Sequence, residues 1–110
     1  MSSWQLYQFK KRAYKELQEA IKTSSNMLTY PDSYITEDDM ENWRDWIWKL
    51  MFIIGDNIDI TYSKRFRLFE KKIINTTNKE EIRKTIFFLK NICQEIKDLP
   101  QVNSAANFLN

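Results

Sequence analysis

The stretch TEDDMENWRDWIWKLMFIIG, residues 36–55, decides the fold class. At 100° per residue Met40, Trp43, Ile47, Leu50, Met51 and Ile54 fall within one narrow arc, the pattern of a helix with a single buried face. Thr36 is placed to cap it, and Glu37, Asp38 and Asp39 put negative charge on the positive end of the helix dipole. Gly55 stands where a left-handed C-terminal residue is wanted, so the helix is expected to stop there.

Downstream, Ile58, Ile60 and Tyr62 alternate as in a strand, but Tyr62, Phe66, Phe69 and Ile73 repeat at 4, 3 and 4, which only a helix satisfies. A lone strand would also have nothing to pair with. The reading is a helix over 60–74 capped by Asp59. The segment Asn75-Thr76-Thr77-Asn78 is a turn, and Asn78 with Glu81 opens a further helix. Its Ile82, Ile86, Leu89, Cys93 and Ile96 form a heptad seam that ends before Pro100.

Upstream, Ser2 and Gln5 make a capping box. Phe9, Ala13, Leu17, Ala20 and Ile21 then recur at helical spacing over 3–22. Residues 23–35 mix turn formers with Pro31 and read as one long loop. Four amphipathic helices without strand partners predict an all-α compact bundle over 1–99, followed by a loosely held tail over 100–110.

Composition excludes most catalytic machinery. The chain has 110 residues, no His, one Gly and one Cys. Without His there is no Ser-His-Asp triad, His general base or His-ligated metal. One Gly cannot build a phosphate-binding loop or a dinucleotide turn. A single Cys93 excludes an intrachain disulfide or a multi-thiolate zinc site, and an unpaired thiol fits a reducing, cytoplasmic setting. The expectation is therefore a protein that is not an enzyme, with no catalytic residues, no metal and no cofactor. The longest apolar run, 46–54, carries Lys49 and is far short of the roughly 20 residues that span a bilayer, so no membrane insertion is expected. The first residues, Met-Ser-Ser-Trp-Gln, lack the pattern of a secretory signal.

The net charge of +2 demands no polyanionic partner, but the charges are segregated. Residues 1–24 hold five basic and two acidic side chains, 25–59 two and eight, 60–79 six and one, and the remainder four and four. A −6 segment is followed directly by a +5 segment.

From Asp38 to Asp98 the order of features resembles a small helical module found beside effector domains in bacterial defence proteins. The matching elements are Trp43 and Trp46 with Leu50, Ile53 and Ile54, the Gly55-Asp56 turn, Phe66 a helical turn further on, and the final helix from Ile86 to Ile96. Where that group commonly has a Ser-type residue and Phe-Gly around the turn, this chain has Ile54-Gly55-Asp56-Asn57-Ile58. The resemblance implies a helical interaction module from a bacterial or phage defence or anti-defence system, and it supplies no catalytic residue.

Three aromatics lie outside the buried arcs: Trp48 and Phe52, one helical turn apart, and Phe87 opposite the last seam. A bundle of this size needs one apolar arc per helix, so these three are candidate anchors for a protein partner or for self-association into a homo-oligomer. The competing reading is nucleic-acid binding. Lys64, Arg67 and Lys71 project from one face of the third helix, and Lys10, Lys11, Arg12 and Lys15 would extend the track. Against it, a solvated face or an intramolecular match to the acidic second helix is the plainer account. The carboxylates of Asp38, Asp39, Glu41 and Asp45 read as dipole caps, and Cys93 as a buried inert thiol.

Overall fold

A computed structural model describes residues 2–98. Among them are four α-helices, α1 (Ser3–Met27), α2 (Glu37–Asn57), α3 (Thr61–Lys72) and α4 (Asn78–Lys97), with a short 3-10 turn at Asp32–Tyr34 and no strand. The expected tail over 100–110 lies outside the described residues. The molecule measures 52 × 25 × 19 Å. α1 pairs chiefly with α4, and α2 with α3, while α1 also packs on α2.

The starts of α1 and α2 follow from local chemistry. Ser2 accepts from the Gln5 backbone and Gln5 reaches back to Ser2; Thr36 and Asp39 do the same at the head of α2. At α4 the cap is Thr77, one residue before the expected Asn78, and its hydroxyl accepts from the Glu80 backbone N–H. Asn75, at φ 69°, supplies the left-handed residue that turns the chain into α4. Before α3, the Asp59 carboxylate accepts the Thr61 N–H at 2.9 Å, which holds its pKa below the usual value.

Two expectations are revised. The long loop over 23–35 is largely absent, because α1 continues to Met27 and only a short link with the 3-10 turn remains. Ser24 explains the extension. Its fully buried hydroxyl donates to the Ala20 carbonyl and accepts Nε1–H of Trp43 at 2.9 Å, so a residue that reads locally as a turn former is held in the helix by α2. Gly55 does not end α2 in a left-handed conformation either; it lies within the helix. It serves close approach instead, since a Cβ built at Gly55 would stand 2.8 Å from the Ser63 Cβ and 2.6 Å from its Oγ.

The core is one cluster drawn from all four helices, with Leu17, Met40, Ile47, Met51, Ile54, Ile82, Leu89, Ile92 and Ile96 essentially inaccessible. Full burial of side chains this size contributes about 1.5–3 kcal/mol each before entropy is charged against it. α3 closes onto α4 through stacked rings, Phe69 on Phe88 at 4.7 Å, and through a bidentate Arg65–Glu95 pair at 2.7 Å. No helix of the described residues is long and apolar enough to cross a membrane.

Candidate interaction surface

Trp48 and Phe52 lie on the flank of α2 where α3 crosses it. Their rings stack at 6.1 Å with 18° between planes, and Trp48 meets Phe66 of α3 edge-on at 6.5 Å. The indole N–H of Trp48 donates to Glu70 Oε1 at 2.8 Å. The Arg67 guanidinium lies over the same indole, 5.9 Å from the ring centroid. The indole is thus oriented on three sides by α3, yet Trp48 keeps 37% and Phe52 41% of their surface accessible. They form an aromatic shelf that the monomer covers only in part.

Phe87 is elsewhere. It is 68% exposed on the outer side of α4, and its neighbour Phe88 is the ring turned toward Phe66 and Phe69. One residue is 100° on a helix, so the side chain after the exposed one falls inward. The structure brings Trp48 and Phe52 together and leaves Phe87 apart.

Lys64, Arg67 and Lys71 are all exposed on α3, and none forms a salt bridge among the described residues. Of the two plainer accounts, among the described residues no ion pair joins this face to the acidic start of α2, and the face is left exposed. Arg65, which flanks the face, is bound to Glu95. The extension of the track through α1 is revised: Lys10 is buried, and burial lowers its pKa. α1 packs chiefly on α4 and then on α2 rather than on α3, so Lys11, Arg12 and Lys15 are not set beside the α3 face.

Sequence reasoning missed what binds this surface together. Glu70 anchors Trp48 from 22 residues away, and Arg44 forms a bidentate pair with Glu81 at 2.8 Å across 37 residues. Neither pairing has a helical-spacing signature. The only available signal is negative: Glu70 is the one acidic residue in the basic segment 60–79. Hydrogen bonding to Glu81 raises the Arg44 pKa further, keeping the guanidinium charged beside the core.

A cleft of about 280 Å³ opens beside the shelf, lined in part by Trp43, Trp48, Phe66, Glu70, Ile73 and Glu81. Its carboxylates are already engaged by Trp48 and Arg44, and no buried side-chain nitrogen or oxygen among the described residues lacks a partner. The acidic residues at the head of α2 do not converge: Asp39 is taken by the cap, and Asp38, Glu41 and Asp45 are exposed. Among the described residues no group of three His, Cys, Asp or Glu side chains is placed to hold a metal ion. The Cys93 thiol is buried, its pKa pushed up by that burial, with the Tyr14 carbonyl 3.9 Å from Sγ.

Fold and surface together define an all-α bundle that presents an aromatic shelf rimmed by cations. No family model matches the chain, and comparison with curated proteins and with solved structures finds no match to either.

Proposed function

We propose that this chain is a non-catalytic helical protein-interaction module, cytoplasmic and belonging to a bacterial or phage defence or anti-defence system, and that it binds through the α2–α3 face. The observation that carries the binding surface is the Trp48–Phe52 shelf. The Trp48 ring is held by Phe66, Glu70 and Arg67 and Phe52 stacks on it, while about two-fifths of each side chain's surface is left to solvent. Ordering costs are already met in the free protein, so a partner that covers the shelf gains burial at little further entropic loss. Trp and Arg are also the side chains most enriched among residues that dominate binding energy. Phe87, on the far side of α4, is a separate and smaller contact point. The assignment to defence systems rests on the resemblance of residues 38–98 alone.

The test is site-specific photo-crosslinking in the producing cell. A photoreactive amino acid in place of Phe52 should yield one discrete protein adduct, whereas the same group in place of exposed Lys22 on α1 should yield none. Adducts from Phe87 or Lys22 but not from Phe52 would place the binding surface elsewhere and overturn this reading.

One observation favours a second reading, nucleic-acid binding. Lys64 and Lys71 are exposed and in no salt bridge among the described residues, and Arg67 lies over Trp48, so cations and an aromatic ring share one face as in platforms for single strands. With α1 excluded, about three phosphates are within reach, and on duplex the log-log salt slope would be roughly −2.7. A gel shift at low salt that the combined Lys64→Glu, Arg67→Glu and Lys71→Glu variant loses would support it. No shift, or one the variant keeps, removes it.

A further inference from the structure

Resting on the reading of the α2–α3 face as a docking surface, we infer that its occupant is a second copy of this chain, paired about a two-fold axis that runs parallel to the two helices along the Trp48–Phe52 shelf. The face carries both halves of its own complement. On the solvent side of α2, Asp45 and Asp56 are exposed; on that of α3, Lys64 and Lys71 are exposed. None of the four is in a salt bridge among the described residues. The aromatic shelf and Arg67 lie between the two rows.

The helices are antiparallel, with Gly55 level with Ser63 and Trp48 level with Phe66 and Glu70. Asp45 therefore lies toward the Lys71 end of the face, and Asp56 toward the Lys64 end. A two-fold axis along the helices exchanges left and right on the face but keeps each level, so Asp45 of one copy meets Lys71 of the other, and Asp56 meets Lys64. Every such contact occurs twice, as an isologous interface requires. The two acids are about 16 Å apart along α2 and the two lysines about 10 Å apart along α3, a difference that long lysine side chains absorb. Lys49 is the one basic residue in the acidic row and falls level with the other copy's α3 between Arg67 and Lys71, a like-charge contact that its long side chain relieves by turning to the central shelf, where aromatic faces accept a cation.

Asp56 adds a separate argument. An acid in the last turn of a helix opposes the dipole, and α2 has no basic residue there to offset it. Its charge does nothing for its own helix, whereas across the interface it has a partner. By contrast an axis perpendicular to the helices would set acid on acid, which the charges forbid. The face is two helices wide and, along α3, about 18 Å long, which belongs with the smaller interfaces, so the dimer is expected to dissociate in the micromolar range.

The test is a charge swap followed by sedimentation velocity over roughly 5–500 µM, a span that brackets weak dissociation constants. Wild type should sediment as a monomer–dimer equilibrium that weakens about tenfold or more when salt rises from low to high, as screening of exposed pairs demands. The variant with Lys64→Glu and Lys71→Glu and the variant with Asp45→Lys and Asp56→Lys should each be monomeric. An equimolar mixture of the two should regain a dimer, because both contacts are then acid on base again. All four side chains are exposed, so helical circular dichroism and wild-type Tm verify that each variant folds. A wild type that stays monomeric throughout, or a dimer indifferent to both variants, overturns the inference. If the photoreactive group at Phe52 then gives an adduct of other than twice the monomer mass, the face still binds protein and only the second copy is wrong. If it gives none, the reading of the face fails as well.

Discussion

Trp43→Ala is expected to lower the unfolding free energy by about 3–5 kcal/mol, the range for emptying a buried aromatic site. Trp43 is 5% exposed and packs in the core shared by α1, α2 and α4, so its removal leaves a void lined by neighbours that several helices hold in place. It also takes away the donor to Ser24, although the Ser24 hydroxyl still donates to Ala20. For a domain this size each kcal/mol is worth roughly 4–8 °C, so the Tm should fall by at least about 12 °C. Trp43→Phe narrows the comparison: it keeps most of the apolar volume while losing the indole donor and a few ring atoms, with an expected cost nearer about 1–2 kcal/mol. Trp46→Ala, at a residue 37% exposed, is the control for losing a tryptophan as such. Thermal and urea denaturation measure all three, and a loss from Trp43→Ala no greater than that from Trp46→Ala would contradict the packing described.

Gly55→Ala should destabilise the chain even though alanine is the better helix former. Inside a helix the exchange is worth up to about 1 kcal/mol in its favour. Here the new Cβ would meet Ser63 Cβ at 2.8 Å and its backbone N at 3.2 Å, and neither atom is the end of a flexible side chain. Ser63 is moreover tied to the Ile60 carbonyl through its hydroxyl at 2.9 Å. The helices must part, and overpacking of this kind costs roughly 1–3 kcal/mol. Net destabilisation of about 1–2 kcal/mol is expected. Ser63→Gly in the same chain should recover part of it by removing the opposing Cβ, which a double-mutant cycle in urea resolves as coupling. Gly55→Ala that stabilises the protein would mean that α2 and α3 are not in this contact. Because the Trp48–Phe52 shelf exists only while α3 lies against α2, the same variant should also weaken any binding that uses the shelf.

Helix identity was legible from periodicity because it depends on what each segment can bury against any apolar surface. The arc from Met40 to Ile54, the 4-3-4 spacing from Tyr62 and the seam from Ile82 to Ile96 each specify one face whatever lies opposite. Caps such as Ser2 with Gln5, and Thr36 at the head of α2, were equally readable, since the donor and acceptor are three residues apart. The absence of His and the single Gly and Cys were equally plain from the inventory of this sequence.

What tertiary structure alone decided concerns partners distant in the chain. The run Thr23, Ser24, Ser25 and Asn26 favours a turn locally, yet Trp43 reaches back 19 residues to Ser24 and the helix continues. Gly55 has the position of a helix terminator, but the approach of Ser63 gives it a different task. The candidate surface is of the same kind. Trp48 and Phe52 were visible as excess aromatics, and Lys64, Arg67 and Lys71 as a basic row, but they read as rival binding sites on separate helices. Only the crossing of α3 over α2, with Arg67 on the indole and Glu70 beneath its N–H, makes them one surface. Spacing along a helix encodes which residues share a face; it carries no information about which faces meet, because that is settled by packing all four helices at once.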